Sequence, residues 1–199
     1  AEVCYSDLLN ALEGYFRYPH FFILQTLLDE EKGLTEKIRN IEATLKTFLL
    51  DSPEKIDIFE RIIKIPGFTE RSALLLLSEI GFDLNSFPSS KNFCSWAGLA
   101  PGKHESAGIN KSGKIEVRQR YLKSLLIEVA LAAVKCNNTY YKAKYHSMKY
   151  RTGASKAIVA IAHKLAKAIY GIIKEDRDYI ELTADYVTTY MYQKDMAKL

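Results

Sequence analysis

The stretch Ile62-Ile63-Lys64-Ile65-Pro66-Gly67-Phe68-Thr69-Glu70-Arg71-Ser72-Ala73, running on through apolar residues to Ile80-Gly81, reads as two helices joined by a tight turn. Pro66-Gly67 makes the turn, Thr69 is a side-chain cap for the second helix, and Gly81 stops it. This is a helix-hairpin-helix pattern. Backbone N–H groups at the start of the second helix have no partner inside it and can hold a phosphate. Gly67 then has a reason to be glycine, because a side chain there would hold the phosphate away. The same residues also suit a plain helical corner with no ligand.

Upstream, from about His20 to Leu50, the apolar residues Leu27, Leu34, Ile41 and Phe48 recur every seven positions, with Leu24, Ile38 and Leu45 on the same stripe. That spacing predicts one helix of about 30 residues, roughly 45 Å long. Gly33 lies inside it and weakens it by about 1 kcal/mol relative to Ala. A narrow apolar stripe between charged faces wants a partner helix, in a coiled coil or an antiparallel pair, unless it packs on its own domain. Asp51-Ser52-Pro53-Glu54 breaks this helix and opens the next, with Pro at a favoured first position.

Downstream, Phe87-Pro88-Ser89-Ser90-Lys91 opens a short capped helix that ends at Trp96-Ala97-Gly98-Leu99. The segment from Ala100 to Ile115 has no helical period and reads as a loop, and loops this long are usually functional or disordered. Three further helices follow. Leu122, Leu125, Leu126, Val129, Ala130 and Ala133 outline a buried one, and on the next Tyr140, Tyr141, Tyr145 and Tyr150 alternate with Lys142, Lys144, Lys149 and Arg151. The third, Ala154 to Ile173, has Ile158, Ile161, Ala162, Leu165 and Ile169 inside and Lys156, Lys164, Lys167 and Lys174 outside. Asn-Gly and Asp-Gly hairpin signals are absent, as is strict alternation over a strand's length. The expected fold is therefore all-α. Residues 1–52 form N-terminal helices with a long coiled-coil-like linker helix, and residues 53–199 form a compact helical domain with a helix-hairpin-helix-like element.

The chain has 199 residues, 48% of them hydrophobic, and a net charge of +4. That charge is uneven: from Pro101 to Tyr170 there are 14 Lys and Arg against 3 Asp and Glu. A basic segment of this kind points to a polyanion, most often nucleic acid. No apolar run approaches the roughly 20 residues that span a bilayer, so no membrane partner is expected. The three cysteines, Cys4, Cys94 and Cys136, form no pattern and fit a reducing cytoplasm. The histidines His20, His104, His146 and His163 have no ligand at metal spacing, so no metal site is expected. No paired carboxylates and no phosphate-cradling loop stand in the basic half. One nucleophile stands out: Ser106 lies in the Gly-flanked loop with Lys103, Lys111 and Lys114, whose charge could stabilise a scissile phosphate. Read alone, a loop serine is more often a surface residue.

The blocks Ile65-Pro66-Gly67-Phe68, Ser78-Glu79-Ile80-Gly81, Ser95-Trp96-Ala97-Gly98-Leu99-Ala100-Pro101-Gly102, Glu105-Ser106-Ala107-Gly108 and Lys111-Ser112-Gly113-Lys114 occur in this order. Tyr121-Leu122-Lys123-Ser124-Leu125-Leu126 and Lys156-Ala157-Ile158-Val159-Ala160-Ile161-Ala162-His163-Lys164 continue the series. Together they resemble the C-terminal domain of DEDD-type insertion-sequence transposases, the IS110 group, which includes the Piv-like site-specific DNA invertases. The resemblance covers about residues 20 to 190. It implies a DNA-associated bacterial cytoplasmic protein in which a serine, here Ser106, attacks DNA and forms a covalent phosphoserine link. It also implies DNA as partner, in some members an element-encoded guide RNA, and homo-oligomers through the long helix. The family's RNase H-like N-terminal domain, with four acidic ligands for a divalent metal such as Mg2+, is absent here, so the chain reads as a fragment that carries no cofactor itself. Gly67, Lys103, Lys111, Lys114, Arg118, Arg120, Lys123, Lys156 and Lys164 are the expected nucleic-acid contacts. The chain departs from the family at Val117-Arg118-Gln119, which lacks a turn glycine, and at Lys123, which replaces a bidentate Arg. The alternative to a nucleophilic Ser106 is a non-catalytic helical module for nucleic-acid binding and dimerisation.

Overall fold

The computed structural model describes residues 10, 14 and 17–183 except 101–103, 107–108 and 112–119, together with residues 185, 186 and 189; at 104–106, 109–111 and 120 it describes the backbone alone. Among the described residues there are seven helices: α1 (Tyr18–Leu49), α2 (Pro53–Ile63), α3 (Glu70–Ile80), α4 (Ser90–Trp96), α5 (Arg120–Ala133), α6 (Tyr140–Thr152) and α7 (Ala154–Lys174). The all-α expectation holds, with one addition. Two strands, β1 (His104–Ser106) and β2 (Ile109–Lys111), pair antiparallel inside the segment read as a loop. Three residues per strand are too few to show a period of two, which is why alternation did not reveal them.

The chain divides into two compact units, Ala1–Thr44 and Leu45–Leu199. The first contains most of α1, a helix of 32 residues with none buried. Its heptad stripe stays in solvent: Leu27 is 57%, Leu34 52% and Ile41 59% exposed. Gly33 has nothing within 4 Å of where a side chain would start, so no packing need explains it.

The second unit is built around α7. Ala157, Ile158, Ile161, Ala162, Leu165 and Ile169 are all buried, as are Ala166, Tyr170 and Ile172, so this helix buries a face wider than half its circumference and keeps Lys156, Lys164 and Lys167 on the other side. An apolar face this wide offers room for several helices to pack on it. Helices α2, α4, α5 and α6 pack on it, and α3 closes the layer against α2 and α5. Side chains cap four of these helices. Ser52 accepts from the Lys55 N–H with Pro53 at the first position, Thr69 caps α3, Ser89 caps α4 and Thr139 caps α6. No described helix is long and apolar enough to cross a membrane.

Candidate nucleic-acid interface

The Ser106 segment is held at both ends by the core. On the near side, Phe93, Cys94, Ala97 and Leu99 are buried, and Phe87, Phe93 and Trp96 form an aromatic cluster with Tyr170 of α7. The Tyr170 hydroxyl donates to the Phe87 carbonyl at 3.0 Å. Lys174, read from sequence as pointing outward, instead donates to the carbonyls of Leu84, Asn85 and Phe87. On the far side, Leu122 and Leu126 anchor α5. Between these anchors β1 and β2 pair in the register His104 with Lys111, Glu105 with Asn110 and Ser106 with Ile109. Ser106 is thus the last residue of β1, at the end where the ribbon reverses. The backbone of Ser106, Lys111 and Arg120 is described, but their side chains lie outside the described residues, as do Lys103, Lys114 and Arg118 altogether.

Gly67 sits at φ +92°, and a side chain there would begin 2.5 Å from the Val129 carbonyl oxygen and 2.6 Å from the Ala133 nitrogen. Glycine is required because the α2–α3 turn abuts the backbone of α5. That requirement holds whether or not the turn meets a phosphate. At the start of α3 two donors are already engaged: the Thr69 N–H donates to Ser72 Oγ at 2.8 Å and the Ser72 N–H to Thr69 Oγ1 at 3.2 Å. Glu70 stands in the same turn, bridged at 2.9 Å by Lys46.

A cleft of about 620 Å³ opens beside this turn, lined by Thr69, Arg71, Ser72, Leu75, Tyr121, Ser124, Leu125 and Glu128. It joins the capped start of α3 to the first two turns of α5, directly after the basic loop. Tyr121 is exposed, and Lys123 is half-buried on the same helix. The sequence reading did not select Arg71, Tyr121 or Ser124; the Thr69 cap was the available signal, since it places Arg71 in the first turn of α3.

Lys156 and Lys164 stand elsewhere, on α7. Lys156 is exposed in the first turn, and the Lys164 Nζ lies 5.3 Å from the centre of the Tyr140 ring, a cation–π distance. A second, smaller cleft lined by Tyr140, Tyr141, Lys164, Lys167, Tyr179, Ile180 and Leu182 shares no residue with the first. Of the expected contacts whose side chains are described, Lys123 stands on α5 and Lys156 and Lys164 on α7, while Gly67 is in the α2–α3 turn. Burial, then the neighbouring Lys167 and Lys164, hold the His163 imidazole below its ordinary value, which keeps it neutral near neutral pH. Burial pushes the Cys94 thiol up to about 11, so it is a packing residue here and not a thiolate. Among the described residues no group of three His, Cys, Asp or Glu could hold a metal ion.

Comparison with known proteins gives this geometry its context. Residues 59–146, which span the α2–α3 turn, the Ser106 ribbon and α5, match the model of the Transposase IS116/IS110/IS902 family. The chain is 27% identical over 161 residues to a probable family 20 transposase of Pseudomonas aeruginosa, covering 79% of this chain and 46% of the relative. It is 28% identical over 176 residues to the transposase for insertion sequence element IS1111A of Coxiella burnetii, covering 77% and 47%. A pilin gene-inverting protein of Moraxella lacunata is 35% identical over 157 residues, covering 76% and 48%. These matches support an IS110-group transposase C-terminal region over the matched residues. The chain spans about half the length of the curated relatives it matches.

Proposed function

We propose that this chain is the DNA-binding C-terminal half of a transposase or site-specific recombinase, and that Ser106 is the nucleophile of DNA strand exchange. The observation that carries the reading is the position of Ser106. It ends a strand within the family-matched region, on a segment clamped by Leu99 and Leu122 and set among basic residues. In the step proposed, the Ser106 oxygen bonds to phosphorus while a sugar oxygen of the DNA leaves and takes up the proton. Attack on that phosphoserine by another strand's hydroxyl restores the serine. A serine hydroxyl needs activation at neutral pH. Divalent metal held by the rest of the full-length protein would supply it, so the 199-residue chain is expected to bind DNA without cutting it.

The binding half of this reading is tested by titrating a labelled duplex at several salt concentrations. If the Lys and Arg of residues 103–174 neutralise phosphates, log affinity falls linearly with log salt, with a slope of about −0.9 per phosphate contacted. A flat slope would leave the basic segment as a solvated face. An element-encoded guide RNA is a second polyanion for the same segment, and running the titration with structured RNA compares the two directly. The setting is the bacterial cytoplasm, on DNA.

Self-association through α1 is the remaining part of the proposal, supported by the exposure of Leu27, Leu34, Ile41 and Phe48 on one stripe. Replacing Leu34 and Ile41 by Lys is expected to shift sedimentation toward monomer while most helical circular dichroism remains. An unmodified chain that already sediments as a monomer at high micromolar concentration would contradict it.

A further inference from the structure

After α7 the chain turns back over its own helices. The Glu175 and Arg177 N–H groups both donate to the Gly171 carbonyl, and Asp176 adopts φ +49°. Arg61, buried on α2, fastens this bend: its guanidinium lies 2.8 Å from the Asp176 carboxylate and 3.9 Å from Asp178. Beyond it, the Tyr179 ring stacks on Tyr141 at 6.5 Å with the planes 9° apart. The Glu181 carboxylate accepts from the Tyr140 N–H at 2.8 Å and from the Tyr179 hydroxyl. Lys164 and Lys167 line the cleft of about 230 Å³ beneath.

This segment is acidic where the helices before it are basic. Residues 120–174 carry a single acidic residue, Glu128, among many Lys and Arg, whereas Glu175, Asp176, Asp178 and Glu181 follow within seven positions. The two halves of the segment are held differently. Asp176 and Asp178 meet a buried guanidinium, but past them Ile180 is 76% and Leu182 37% exposed. Opening the distal half costs the stacking of the partly buried Tyr179 on Tyr141 and the two Glu181 hydrogen bonds, with little other apolar burial.

Resting on the nucleic-acid reading above, we propose that residues 175–182 are an acidic strap that covers the basic Tyr140–Lys164–Lys167 face. Nucleic acid arriving on that face displaces the distal half, Tyr179 to Leu182, while Arg61 keeps the proximal half attached. The Glu181 carboxylate and a phosphate are both anions and repel each other across this face, so the closed strap lowers the apparent affinity by the fraction of molecules it keeps closed.

Two measurements test this on the full chain. Glu181→Gln keeps the size and an acceptor for the Tyr140 N–H but removes the charge. It is expected to bind fluorescein-labelled duplex DNA about two- to fivefold tighter at low salt, the range that a carboxylate at a helix N-terminus is worth. The second reads the unmodified chain. The Tyr140 N–H lies in the first turn of α6, where a helix supplies no acceptor of its own, so its hydrogen-exchange protection reports Glu181 directly. Saturating duplex should abolish that protection. Unchanged or weaker binding by a Glu181→Gln chain with a native thermal melt would overturn the strap, as would a Tyr140 amide that stays protected in the complex. Should the duplex not bind at all, the nucleic-acid reading fails by itself. The strap is then judged with heparin: deprotection of Tyr140 supports it, and retained protection in saturating heparin overturns it.

Discussion

Replacing Ser106 by alanine in a full-length parent is expected to abolish the covalent protein–DNA adduct and strand exchange while leaving DNA affinity nearly unchanged. The substitution removes one oxygen. It leaves intact the backbone pairing of Ser106 with Ile109, which belongs to the N–H and C=O groups and not to the side chain. A nucleophile that forms the covalent intermediate cannot be replaced by a methyl group, so the rate should fall by about 10⁴-fold or more. On the proposed reading, binding comes from the Lys and Arg of residues 103–174, which this change does not touch. A denaturing gel that separates adduct from unlinked DNA reads the first effect and a duplex titration the second. If the alanine protein still forms the adduct, Ser106 is a spectator and the chain is a binding and dimerisation module.

The largest effect on stability is expected at Gly67. A methyl group there meets the Val129 carbonyl at 2.5 Å and the Ala133 nitrogen and Cα at 2.6 and 2.9 Å, all of them backbone atoms of one helix. None of these can swing aside as a side-chain tip could. The positive φ adds its own penalty for any residue with a Cβ. Gly67→Ala must push the α2–α3 turn away from α5, opening the core around Ile65 and Phe68, at a cost of about 3 kcal/mol or more. For a unit of this size that corresponds to a fall in melting temperature of roughly 6–12 °C. Thermal circular dichroism measures it, with Gly33→Ala as the control. Gly33 lies in open space within α1, so that change should be neutral or slightly stabilising. A Gly67→Ala protein melting within about 2 °C of the parent would mean the turn is not pressed on α5.

These two residues also mark how far the sequence could be read. The helices were legible because their apolar positions repeat at helical spacing: Ile158, Ile161, Ala162, Leu165 and Ile169 fall on one face and all are buried. The caps were legible because Thr69 and Ser89 act within three residues of themselves. That Gly67 had to be glycine was legible too, but not the reason, since Val129 and Ala133 come from a helix whose approach no local pattern encodes. Lys174 illustrates the same limit. Its place on the helix suggested solvent, and only the arrival of residues 84–87 turns it toward carbonyls. For the site, the order of motifs singled out the Ser106 segment, while the ribbon it forms was too short to show. Glu181 and Tyr179 lie past the last periodic helix, where a sequence has no repeat to read, so their contacts with Tyr140 and Tyr141 were invisible.

The position of α7 in the chain has a consequence for biosynthesis. It is the last of the described helices to be made, yet α2, α4, α5 and α6 all rest on it. The contacts of Tyr170 and Lys174 with Leu84 and Phe87 close over 83 to 90 residues. At roughly 5–20 residues per second, α4 leaves the ribosome on the order of ten seconds before its support exists. Through that interval the apolar faces of α2 to α5 have only one another, and native burial cannot be completed until α7 has been made. Folding of this unit is thus tied to the synthesis of α7, and a chain released before α7 would expose the surfaces that chaperones bind.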